Sequence, residues 1–140
     1  MKLYSLFHKT DKRYKTGIVL SGGAARGFAH IGVLQALNEK GIYPEIVSGV
    51  SAGALAGVLY CDGYHPTEIL DIFKAKSLMK FASITIPRDG LLGTDNLRKV
   101  LSESLRAEKF EELKVPFYCN ATNLNEGKAE YFHKGELVTK

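Results

Sequence analysis

Cysteine is scarce in this 140-residue chain: there are two, Cys61 in a helical run and Cys119 in a strand-like run, with no C-x-x-C spacing. That pattern excludes a disulfide framework and fits buried, reduced thiols in a cytoplasmic protein. The four histidines show no metal spacing, so neither a metal nor a cofactor is expected. Long apolar runs are also missing. The uncharged stretch 46–61 is broken by glycine and serine and falls short of the roughly 20 residues a bilayer span needs. Near the start, Leu3, Leu6 and Phe7 are interrupted by Tyr4, Ser5 and His8, which is not the continuous core of a secretory signal. Charge of one sign is only mildly in excess, at +4 with a pI near 9.0, too little for a dedicated nucleic-acid binder. Much of the excess lies in residues 1–16, where Lys2, Lys9, Lys12, Arg13 and Lys15 face only Asp11. This segment reads as a solvated basic arm, with contact to phosphate head groups as a second role.

What is present suffices for one core. At 45% apolar residues, 17–140 reads as a single domain. Gly17-Ile18-Val19-Leu20 is a short apolar run without alternation, as in a strand covered on both faces. A glycine-rich turn, Ser21-Gly22-Gly23-Ala24-Ala25-Arg26-Gly27, leads into 28–40, where Phe28, Ile31, Leu34 and Leu37 recur at helical spacing. Ala29, Gly32 and Ala36 form a small face, which predicts close packing of that helix on a sheet. Gly41 supplies the stop. Ile46-Val47 then restarts a strand, completing a βαβ unit with parallel strands.

The second strand runs into Ser48-Gly49-Val50-Ser51-Ala52-Gly53 and a further helix-forming run. Strand, tight turn and helix around G-x-S-x-G is the setting of a nucleophile elbow. Gly49 and Gly53 would be required because a β-carbon at either position would collide with the neighbouring strand or helix. Ser51 would stand at the apex, at a helix N-terminus that favours negative charge. A small-residue turn without chemistry is the other reading of the same residues.

The first glycine loop could serve a dinucleotide or an oxyanion. A dinucleotide fingerprint calls for a third glycine where Ala24 stands, and a carboxylate after the second strand where Gly49-Val50-Ser51 stands. Glu45 precedes that strand, at its wrong end. The oxyanion reading needs only backbone N–H groups from Gly23 and Ala24 beside Ser51, at the carboxyl ends of adjacent parallel strands.

The glycine loop with Phe28-Ala29-His30-Ile31-Gly32-Val33-Leu34 behind it, then Gly49-Val50-Ser51-Ala52-Gly53-Ala54, resembles the start of a patatin-like phospholipase domain. The similarity runs through Leu91-Leu92 and Val115-Pro116 to Gly127. It implies a three-layer α/β/α fold with a mostly parallel sheet and a Ser-Asp dyad that hydrolyses lipid acyl esters. By the same resemblance Ser51 matches the nucleophile, and Gly22, Gly23, Ala24 and Arg26 match the oxyanion loop, Ala24 replacing the family's usual glycine. Arg26 could hold the loop or a phosphate, or fix the helix start through a salt bridge.

The dyad's aspartate is expected in an Asp-Gly-Gly or Asp-Gly-Ala motif well downstream of the elbow, beyond residue 140, so the domain is expected to be incomplete at its C-terminus. Asp62-Gly63, about 16 Å along a helix from Ser51, reads as a helix stop. Asp89-Gly90 lies in a turn that could fold over the site, which keeps Asp89 as a candidate. Segment 67–88 places Ile69, Leu70, Ile72, Phe73, Leu78, Met79, Phe81, Ile84 and Ile86 among Lys74, Lys76, Lys80 and Arg88. It could accept an acyl chain at an anionic interface or simply pack on the core. A helix over 95–106, a third buried strand over 117–122, and a hairpin of 130–133 with 136–138 turning at Lys134-Gly135 complete the expectations. His30 is expected to pack or face solvent. The functional expectation is a lipid or membrane-surface substrate, with no nucleic acid and peripheral membrane placement. The alternative is a non-catalytic lipid- or partner-binding domain, and a dinucleotide binder comes third.

Overall fold

A computed structural model describes residues 14–75 and 95–138. Four strands form one sheet in the order β1 (Gly17–Leu20), β2 (Ile46–Gly49), β3 (Phe117–Asn123) and β4 (Lys128–Phe132). The first three are parallel and β4 is antiparallel to β3, so the fold is α/β with a mostly parallel sheet, as expected. Helix α1 (Gly27–Glu39) connects β1 to β2. Helices α2 (Ala52–Cys61), α3 (Pro66–Ala75) and α4 (Asp95–Ser104) lie between β2 and β3.

Register decides where the loops meet. Leu20 pairs with Gly49, and Gly49 with Cys119, so β1 and β2 end side by side and release their loops at the same edge. Leu20, Val47 and Phe117 enter a core with Ile31 and Leu34 of α1, Leu59 of α2, and Ile69 and Phe73 of α3. Helix α2 carries no charge and is buried almost all round. Its Gly57 lies so close to the sheet that a β-carbon would stand 2.9 Å from Phe117 and 3.2 Å from Val47. Phe28 and Phe73 meet edge to face at 5.9 Å and tie α1 to α3.

Two expectations change, and a third is seen on one face of the sheet only. The alternate row of the sheet, Val19, Ser48 and Tyr118, is not covered among the described residues, and Val19 is 80% exposed. The small face of α1 does not approach the sheet: Ala29, Gly32 and Ala36 are exposed, and a β-carbon on Gly32 would meet nothing within 4 Å. The buried face is Gly27, Ile31 and Leu34, because burying apolar bulk outweighs a run of small residues. The hairpin joins β3 to β4. Its turn is set by Asn123, whose Oδ1 accepts the amides of Asn125 and Glu126, with Gly127 at φ +62°. Glu136 instead bridges to Lys109.

Candidate functional site

At the end of β2 the chain reverses through Val50 and Ser51 into α2. Ser51 adopts φ 53°, ψ −124°, a left-handed conformation that a side chain occupies only under constraint. The constraint is visible in the flanking glycines. A β-carbon on Gly53 would stand 2.2 Å from the Leu20 carbonyl oxygen and 2.6 Å from that of Ser21. One on Gly49 would stand 2.6 Å from the Gly53 oxygen and 2.8 Å from Ala54 N and Cα. The expected collisions with strand and helix are therefore there, against backbone atoms that cannot rotate away. The turn is closed by Val50 N–H donating to Leu20 O at 3.1 Å and Gly53 N–H to Val50 O at 3.0 Å. Ser51 is exposed, and its hydroxyl does not cap α2.

The glycine loop lies against this turn. A β-carbon on Gly22 would come within 3.3 Å of Ser51 Cβ, and one on Gly27 within 2.8 Å of Ala52 Cβ. Gly22, Gly23, Ala24 and Arg26, on one side, and Gly49, Ser51 and Gly53, on the other, are thus brought together. Residues Ala24–Arg26 form a short 3-10 turn with Ala24 at φ 48°, closed by Arg26 N–H donating to Gly23 O at 2.9 Å. Ala24 so takes a backbone conformation that glycine adopts without strain. The Arg26 side chain folds back over Gly23, and no carboxylate of the described residues pairs with it.

Asp62 is set apart from this cluster. It caps the far end of α2, is 4% exposed, and its carboxylate accepts the amides of Arg106 at 2.7 Å and Ala107 at 3.1 Å. Its charge anchors the segment after α4 to the end of α2, a role beyond the helix stop read from sequence. Asp89 lies outside the described residues. Among the described residues no side chain hydrogen-bonds the Ser51 hydroxyl, and no group of His, Cys, Asp and Glu is arranged to hold a metal. Both cysteines are free, and burial pushes their thiols upward, Cys61 far more than Cys119. Neither is poised as a nucleophile.

One residue expected only to pack or face solvent makes a contact within the site. His30, one turn into α1, donates its Nε2–H to the carbonyl oxygen of Ser21 at 2.8 Å. The contact reaches nine residues back along the chain, and only the fold brings its partners together.

No described helix is long and apolar enough to cross a membrane. A family model described as patatin-like phospholipase matches residues 18–136. The chain is 33% identical over 141 aligned residues to lysophospholipase nte1 of Emericella nidulans, covering 92% of this chain and 9% of that protein. It is 35% identical over 128 to lysophospholipase NTE1 of Mycosarcoma maydis, covering 85% and 7%. The chain thus spans less than a tenth of the length of these relatives. In fold it is similar to a chain in the complex of full-length SpcU with full-length ExoU from the type III secretion system of Pseudomonas aeruginosa. That match has a TM-score of 0.52 and 20% identity, over 88% of this chain and 36% of that one. With a family model covering most of its length, the chain belongs to the patatin-like phospholipase family.

Proposed function

We propose that this chain carries the nucleophile and oxyanion loop of a lipid acyl hydrolase, with Ser51 as the attacking group. The observation that carries the reading is the strained backbone of Ser51, held at φ 53°, ψ −124° between two glycines that cannot be replaced without collision. Strain of this kind persists where surrounding structure enforces it, and a nucleophile elbow is one such place. Ser51 Oγ attacks the ester carbonyl carbon as a base takes its proton. Amides of the Gly22-Gly23-Ala24 loop stabilise the oxyanion, collapse expels the alcohol, and water then cleaves the acyl-enzyme. The base is the family's aspartate, which we assign to sequence outside the described residues. Lysophospholipase relatives support a lipid carboxylic ester as the substrate class. In this reading 17–140 is the N-terminal part of the hydrolase domain, acting at a membrane surface, and residues 1–16 are its basic arm.

A second reading rests on the lack of any described carboxylate at Ser51: a family member that binds lipid or a partner without turnover. Intact mass after treatment with a fluorophosphonate separates the two. The probe is applied to this chain and to any longer product of the same gene, each with a Ser51→Ala control. A single adduct at Ser51 on the longer product, lost in the control, is the expected result. Labelling of neither form overturns the hydrolase reading and leaves the binding domain.

A further inference from the structure

We propose that His30 is a positioning residue for the oxyanion loop, an inference that rests on the reading of Ser51 as the nucleophile. A carbonyl oxygen can only accept, so the 2.8 Å contact between His30 Nε2 and Ser21 O requires that Nε2 carry the proton. The Ser21 carbonyl and the Gly22 N–H belong to one planar trans peptide and point in opposite directions. Holding the carbonyl toward α1 therefore aims the Gly22 amide away from α1. Gly22 is also the loop residue that lies against Ser51, where a β-carbon would come within 3.3 Å of the serine's own.

Apart from His30, this peptide is restrained by packing: the Ser21 carbonyl oxygen lies so close to Gly53 that a β-carbon there would stand 2.6 Å from it, a contact that limits space but supplies no donor. Ser21 and Gly22 are exposed, and the next tie along the loop is the Arg26 N–H bond to Gly23 O. Glycine on one side of the peptide makes rotation of the unit easy, because it tolerates both signs of φ. A flip would carry the amide to the opposite direction. The histidine ring is itself fixed at its base, since His30 follows the buried Gly27 on a helix docked against Ala52. The His30 hydrogen bond, with the close approach of Gly53, thus converts the position of α1 into the direction of the Gly22 amide beside Ser51.

The test compares the full-length protein with its His30→Ala and His30→Gln variants. Glutamine is chosen because its Nε2–H₂ lies as many bonds from the backbone as the imidazole Nε2. The first readout is fluorophosphonate labelling of Ser51, resolved into probe affinity and inactivation rate. Misplacement of a catalytic donor predicts about a 10- to 100-fold slower inactivation step in His30→Ala with affinity little changed. Glutamine should restore most of the rate, while thermal midpoints of the variants stay close together. A merely structural histidine would lower the midpoint and show no recovery specific to a donor. The second readout is the long-range ¹⁵N spectrum of the imidazole, which should show a protonated Nε2. Labelling of His30→Ala at the unaltered rate, or a proton found on Nδ1 alone, overturns this inference and leaves the nucleophile reading intact. Absence of labelling in the unaltered protein, with Nε2 protonated, overturns the nucleophile reading and this inference with it.

Discussion

Replacing Gly53 with alanine tests the elbow most directly, because the new methyl has nowhere to go. Its carbon would stand 2.2 Å from Leu20 O, 2.5 Å from Leu20 C and 2.6 Å from Ser21 O. Ordinary van der Waals contact begins about 1 Å further out, and all three neighbours are backbone, so relief requires α2 and the end of β1 to separate. Those segments are joined by the Val50-to-Leu20 hydrogen bond and by the Leu20–Gly49 pairing. Overpacking a well-packed site costs about 1–3 kcal/mol, and the immobility of these atoms puts Gly53→Ala at about 3 kcal/mol or more. In urea, with a slope of about 1–3 kcal/mol/M, the midpoint should fall by about 1 M or more. The matched control is Gly32→Ala, whose methyl meets nothing within 4 Å on an exposed helical position. It should stabilise by about 0.5–1 kcal/mol through helix propensity alone. Equal midpoints for the two variants, with unchanged slopes, would refute the argument that backbone collision makes Gly53 obligatory. Fluorophosphonate labelling of any Gly53→Ala protein that still folds should also be slower, because the displaced carbonyls form the root of the glycine loop.

Three further outcomes follow from the same geometry. Ser51→Gly should raise stability by about 1 kcal/mol, since glycine takes φ 53° without the strain of a side chain, whereas Ser51→Ala should not; equal stability of the two would show that the turn stores no strain. Asp62→Ala should destabilise by about 2–4 kcal/mol by leaving the Arg106 and Ala107 amides without their acceptor, yet leave labelling of Ser51 unchanged in the folded fraction, which chemical denaturation and mass spectrometry would check together. Cys61 should resist iodoacetamide near neutral pH in the native protein and react on unfolding. Burial raises its thiol, so the thiolate that attacks is depleted until pH rises well past the ordinary thiol range, and rapid native alkylation would contradict that burial.

The sequence by itself determined the local chemistry of turns and helices, because those depend on near neighbours. Glycines spaced around Ser51 and apolar residues at helical spacing in 28–40 are short-range patterns, and the strand, turn and helix stand where those patterns put them. The parallel pairing of β1 with β2 was legible for the same reason, since a short crossover leaves few alternatives. The tertiary structure decided which of several locally equal options was used. Smallness at Ala29, Gly32 and Ala36 could have marked either a packed or an open face, and it was the competition among α1, α2 and α3 for apolar cover that left it open. The hairpin was expected to turn at Lys134-Gly135, whereas β4 pairs with β3 across the 124–127 turn, where the Asn123 side chain accepts two amides. Asp62 read as a stop, but its acceptors' partners lie more than forty residues away, and only the folded chain brings Arg106 and Ala107 to it. His30 is the same case at the candidate site. A histidine within a helical repeat says nothing about Ser21 until α1 folds back over the end of β1, and hydrogen bonds made by folding are directional facts that composition and spacing do not encode.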